Sequence, residues 1–129
     1  MPMYPPVQGR LRMRILLAED DANFATLLSN ELKDEQTSVE WVNNGVEAIL
    51  RLMRQPFDAV LLDLRMPRLD GLSALRIIHI LHPEMAVITF SGVAGDEEKG
   101  ESVRLGARIC LSKPFPIDQL KKMLMNLQS

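Results

Sequence analysis

In the stretch Ala59-Val60-Leu61-Leu62-Asp63-Leu64-Arg65-Met66-Pro67-Arg68-Leu69-Asp70-Gly71 an apolar run stops at an acid. It gives way there to a loop that contains Pro67 and is closed by Gly71. Such a run reads as a buried strand, and its terminal acid, Asp63, is expected at the strand tip, facing solvent. Two more acids, Glu19 and Asp20, end the run Ile15-Leu16-Leu17-Ala18, and Lys113 follows Ile109-Cys110-Leu111-Ser112. In a parallel sheet these tips share one edge.

Outward from this segment, short apolar runs alternate with segments of helical period from Met13 onward, the pattern of βα units feeding a parallel sheet. Five strands are expected: Arg14 to Ala18, Ser38 to Val42, Ala59 to Leu62, Ala86 to Phe90 and Ile109 to Leu111. The first helix, about Ala22 to Asp34, is capped by Asp21 and turns Phe24, Leu27, Leu28 and Leu32 toward the sheet. The second follows Asn43-Asn44-Gly45 and buries Val46, Ile49, Leu50 and Met53 before Pro56. The third, Leu72 to Leu81, carries more large apolar residues than one stripe holds, so some reach the surface as scattered side chains rather than as a contact patch. The fourth, Asp96 to Leu105, contains Gly100 and has only Val103 and Leu105 as strong anchors, which predicts fraying; mid-helix glycine costs roughly 1 kcal/mol. The fifth places Ile117, Leu120, Leu124 and Leu127 on one face.

At 129 residues the chain fits one domain, with residues 1–12 as a flexible tail or remnant and 13–129 as the folded unit. The hydrophobic fraction of 47% and charged fraction of 25% are those of a globular protein, and no apolar run approaches the roughly 20 residues that span a bilayer. A net charge of -2, with Arg10, Arg12 and Arg14 the nearest thing to a basic cluster, gives no electrostatic basis for direct nucleic-acid binding. The lone Cys110 excludes an internal disulfide and is expected as a small buried residue in a cytoplasmic, reducing compartment. His79 and His82 are expected at the surface, and the eight methionines as packing.

Carboxylates crowded at one edge repel, and a divalent ion resolves the repulsion. Oxygen-only ligands with room for water suit Mg²⁺, which takes phosphate oxygens as further ligands. A strand-tip aspartate beside such an ion can act as nucleophile toward a phosphoryl group, with an ammonium and a hydroxyl neutralising charge. Asp63, Lys113 and Ser91 have those residue types.

Ala18-Glu19-Asp20-Asp21, Asp63 with Pro67 and Gly71, Ser91-Gly92 and Lys113-Pro114-Phe115 together resemble the receiver domain of two-component response regulators, from Met13 to about Leu127. The resemblance implies an α/β fold, a flavodoxin-like (βα)5 doubly wound parallel sheet with strand order 2-1-3-4-5. It implies Asp63 as phosphoacceptor, Asp20 as the direct metal-ligating acid, Glu19 as its partner through water, and the Arg65 carbonyl as a further Mg²⁺ ligand. Ser91 would hydrogen-bond the phosphoryl group and Lys113 would pair with it, across a cis bond to Pro114. Arg65 and Val93 flank that site and bear on the lifetime of the phosphorylated state. The implied donor is a histidine kinase or histidine phosphotransfer protein. The reader is an unknown downstream protein, and homodimerisation on phosphorylation is one outcome left open.

The chain departs from the family at Cys110, where these domains usually carry an aromatic residue that turns inward on phosphorylation. A phosphorylation-independent, receiver-like interaction module is the alternative, opposed by the intact acidic set. An aspartyl-nucleophile phosphatase would need an acid two residues after Asp63, where Arg65 stands, and a nucleotide- or flavin-binding domain would need a glycine-rich phosphate loop where Glu19, Asp20 and Asp21 stand. The domain is expected to be a phosphoacceptor rather than an enzyme, either alone or as part of a longer regulator or hybrid kinase.

Overall fold

The structure is a computed structural model and describes residues 13–92 and 96–127. The tail expected over 1–12, with Arg10 and Arg12, and Val93 lie outside the described residues. Five strands and five helices alternate: β1 (Met13–Ala18), α1 (Ala22–Leu32), β2 (Thr37–Val42), α2 (Gly45–Arg54), β3 (Ala59–Asp63), α3 (Gly71–Leu81), β4 (Ala86–Ser91), α4 (Asp96–Arg104), β5 (Ile109–Ser112) and α5 (Ile117–Asn126). All neighbouring strands are parallel, in the order β2-β1-β3-β4-β5. This is the flavodoxin-like receiver arrangement that the resemblance implied.

Strand periodicity divides the core. Ile15 and Leu17, Ala59 and Leu61, and Ile88 and Phe90 point to one face, where they meet Ala25, Leu28 and Leu32 of α1 and Leu120 and Leu124 of α5. The alternate residues Leu16, Ala18, Val60, Leu62 and Val87 meet Ala48 and Leu52 of α2 and Ala74, Leu75 and Ile78 of α3. Because helices cover both faces, the central strands are apolar at nearly every position instead of alternating.

Several expected faces are corrected. In α2 the buried residues are Gly45, Ala48 and Leu52, whereas Leu50 is exposed and Met53 is 66% exposed. Gly45 lies against the Leu69 backbone, and Ala48 and Leu52 join the core, while Leu50 and Met53 face outward. In α1 Ala25, Leu28, Ser29 and Leu32 are buried, Phe24 is half-buried and Leu27 is exposed. The surplus on α3 does reach the surface, through Ile80 and Leu81. His79 is exposed, but His82 is half-buried as the C-cap of α3.

Helix α4 differs most from expectation. Val103 is exposed and Leu105, half-buried, lies beyond the helix; over 97–104 the single buried residue is Ser102. Its hydroxyl lies 3.0 Å from the Thr89 Oγ1 of β4 and 3.0 Å from the Lys99 carbonyl. Cys110, expected buried, is half-buried beside Thr89 in the β4–β5 register.

Candidate functional site

Strands β1 and β3 are neighbours, with β5 one strand further on across β4, and the ends of β1 and β3 bring the acids together. One carboxylate oxygen from each of Glu19, Asp20 and Asp63 lies within 4.8 Å of the others. Asp20 is exposed, Glu19 is fully buried, and Asp63, read from the sequence as facing solvent, is only 4% exposed. The reason is the β3–α3 loop. Gly71 opens α3 so close to β3 that a Cβ there would lie 2.3 Å from the Asp63 carbonyl oxygen and 2.4 Å from the Leu64 Cα. The Gly71 N–H donates to the Leu64 carbonyl at 3.0 Å, and buried Leu64 and Met66 complete the fold-back.

Both Asp63 oxygens are held. Oδ1 accepts from the Arg65 backbone N–H at 2.9 Å, and Oδ2 accepts from Lys113 Nζ at 2.9 Å. The same ammonium donates to Glu19 Oε1 at 2.8 Å, while Glu19 Oε2 accepts from the Asp21 N–H at 3.1 Å. Lys113 also stands 4.6 Å from the centre of the Phe24 ring, above an aromatic group in which Phe24 meets Phe90 and Phe115 edge-on and Phe90 stacks on Phe115. The Lys113–Pro114 peptide bond is cis, as the resemblance implied.

Burial, reinforced by the neighbouring Asp63 carboxyl, raises Glu19 from 4.5 to about 7 despite the opposing pull of Lys113. Burial alone would lower the Lys113 ammonium, but its hydrogen bonds to Glu19 and Asp63 outweigh this and leave it raised. One ammonium is thus shared between two of the crowded acids.

The donor set fits a hard divalent cation. It is oxygen-only, carries several carboxylates, and has exposed Asp20 at the edge of an open groove of about 730 Å³ that also touches Arg65, Asp70 and Glu98. Asp21, besides contributing to the acidic run, is the N-cap of α1, accepting from the Asn23 and Phe24 N–H groups.

Ser91 ends β4, one residue beyond the Phe90 that pairs with Asp63, and its carbonyl accepts from the Lys113 N–H at 2.8 Å. Its side chain, however, is engaged elsewhere: Oγ donates to Glu98 Oε1 of α4 at 2.8 Å. Glu98 Oε2 in turn lies 3.9 Å from the guanidinium of Arg65, whose side chain is largely exposed. Glu98 was not legible as a site residue, because it lies in a charged run on a helix without apolar period. One further contact was missed: Trp41 Nε1 donates to the Glu19 carbonyl oxygen at 2.7 Å, tying β2 to the first acid.

The fold is that of a response regulator receiver domain, and the sequence matches that family over residues 15–125; the chain belongs to it. Among curated relatives it is similar to the cell cycle response regulator CtrA of Brucella ovis, 34% identical over 108 residues, which are 84% of this chain and 47% of that protein. It is 33% identical over 110 residues to the transcriptional regulatory protein ZraR of Escherichia coli, 85% of this chain and 25% of that one. The chain therefore spans between a quarter and a half of the length of these relatives. Among solved structures, the receiver domain of the Francisella response regulator 1452 superposes with a TM-score of 0.84 at 28% identity, covering 90% of this chain and 96% of that one. Among the described residues no helix is long and apolar enough to cross a membrane.

Proposed function

We propose that this domain accepts a phosphoryl group on Asp63 from a phosphohistidine of a histidine kinase or phosphotransfer protein, in a Mg²⁺-dependent reaction, and signals by altered binding of a downstream protein. The observation that carries the reading is the Asp63 carboxylate, fixed at both oxygens beside two further acids and one ammonium. Such a carboxylate cannot rotate away from an incoming phosphorus. In the transfer an Asp63 oxygen forms the new O–P bond as the P–N bond of the phosphoimidazole breaks. The electron pair leaves with the imidazole, which takes a proton from solvent.

Glu19, Asp20, Asp63 and the Arg65 carbonyl would hold Mg²⁺, which when bound neutralises charge building on the phosphoryl oxygens. Lys113 supplies a second positive charge and Ser91 a hydroxyl donor to the phosphoryl group. Asp63 is then a stoichiometric acceptor, turned over at most by slow self-dephosphorylation, and the domain works in the cytoplasm where phosphodonors are made.

The test is intact-mass spectrometry after incubation with acetyl phosphate and Mg²⁺. A phosphate-sized gain that disappears in Asp63→Asn and without metal supports the reading. No gain from a folded, metal-binding protein overturns it.

A further inference from the structure

We propose that Glu98 is a positioning residue that holds the Ser91 hydroxyl out of the phosphoryl site, so that phosphorylation must unlatch it and thereby loosens α4. The proposal rests on the acceptor reading of Asp63.

Ser91 has one hydroxyl proton, and it is spent on Glu98 Oε1 at 2.8 Å. Donation to a phosphoryl oxygen on Asp63 requires that this proton leave Glu98. The exchange is driven from both sides, since a phosphoryl dianion is a stronger acceptor for the hydroxyl and repels the Glu98 carboxylate. Arg65 touches both groups by different atoms: its guanidinium lies 3.9 Å from Glu98, and its backbone N–H donates to Asp63 Oδ1.

The consequence reaches α4 because so little else holds that helix. Thr89 and Ser91 are two residues apart on one face of β4, and Ser102 and Glu98 are four apart on one face of α4, so the two hydroxyl contacts form successive rungs between strand and helix. Over 97–104 no large apolar side chain is buried beside them. Breaking the Ser91–Glu98 rung leaves the N-terminal half of α4 seated by neither apolar packing nor this bond, while Thr89–Ser102 still anchors the other half. Cys110, half-buried on the same side of β5 as Thr89 on β4, brings no aromatic ring to this coupling; Glu98 provides a polar route in its place.

The test compares wild type, Glu98→Ala, Glu98→Gln, Ser91→Ala and the Ser91→Ala/Glu98→Ala double variant. Acetyl phosphate and Mg²⁺ are the probes, and mass spectrometry follows both phosphoryl uptake and amide exchange. Glu98→Ala should take up phosphoryl groups about tenfold faster, as expected for freeing a hydroxyl from a charged acceptor. The same substitution should have no effect once Ser91 is alanine. Exchange over 97–104 should rise in wild type on phosphorylation and be already raised in unphosphorylated Glu98→Ala. Glu98→Gln, which keeps the shape and loses the charge, serves if the alanine variant does not fold, and should also accelerate uptake. Equal uptake rates in wild type and the Glu98 variants, or an acceleration that persists without the Ser91 hydroxyl, overturn the proposal while leaving Asp63 as acceptor. Absence of uptake in every protein instead overturns the acceptor reading, and the proposal with it.

Discussion

The Lys113 ammonium reaches the Glu19 carboxylate at 2.8 Å, joining residues 94 apart in sequence. The same nitrogen holds Asp63, so the C-terminal strand is clasped to the first and third through one charge. Glu19 is wholly buried and the side chains of Asp63 and Lys113 are 6% and 23% exposed, which makes this an interior ion cluster rather than a surface pair.

Removing the cation should therefore cost far more than losing a surface salt bridge. Lys113→Met leaves two buried carboxyl groups without their counter-charge, and the metal-free protein should lose about 2–4 kcal/mol. Urea unfolding with and without Mg²⁺ checks this. Added Mg²⁺ should recover part of the loss, and a variant as stable as wild type in metal-free buffer would contradict the clasp.

The pH dependence follows from Glu19. The folded metal-free protein holds this proton more tightly than the unfolded chain, since burial raises the group from 4.5 to about 7. Its contribution to stability is fully present below about 4.5, falls as pH rises, and is gone above about 7. Urea midpoints across that window should decline in wild type and decline less in Glu19→Gln. Mg²⁺ affinity should run the other way, rising over the same window as the competing proton leaves.

Asp20 is the exposed member of the acidic set, so its loss separates metal binding from folding. Asp20→Ala should abolish measurable Mg²⁺ binding by titration calorimetry while leaving the metal-free unfolding free energy within about 0.5 kcal/mol of wild type. An unchanged titration would remove Asp20 from the ligand set.

Gly71 tests the loop that buries Asp63. Alanine there drives a methyl group into the Asp63 carbonyl and the Leu64 backbone, neither of which is a flexible side-chain end. Gly71→Ala should destabilise the domain by about 1–3 kcal/mol and weaken Mg²⁺ binding together, because the displaced backbone carries Asp63 with it. Thermal melts and metal titration on the same sample read both effects.

The sheet was legible because its central strands are covered on both faces, and continuous runs such as Val60-Leu61-Leu62 leave little else for them to be. The acids and Lys113 were legible for a related reason: each follows directly on such a run, so the strand fixes its height. Helix faces were less readable. The size of Leu50 and Met53 drew attention from Ala48 and Gly45, whose smallness lets α2 sit against its neighbours. The depth of Asp63 was not readable either, because it depends on how the 64–70 loop folds back over the strand end. Glu98 left no sequence signal, since a carboxylate seven residues after Ser91 on a weakly apolar helix looks like one more solvated charge.

The indole of Trp41 gives the domain an optical reporter. Trp41 is the single tryptophan of the chain, it is 40% exposed, and its N–H rests on the carbonyl of the residue that heads the acidic set. Any event that shifts the Glu19 backbone changes the polarity around this indole, with no second tryptophan to dilute the signal. Metal loading and phosphoryl uptake at this edge can thus be followed by intrinsic emission, in real time and without a label.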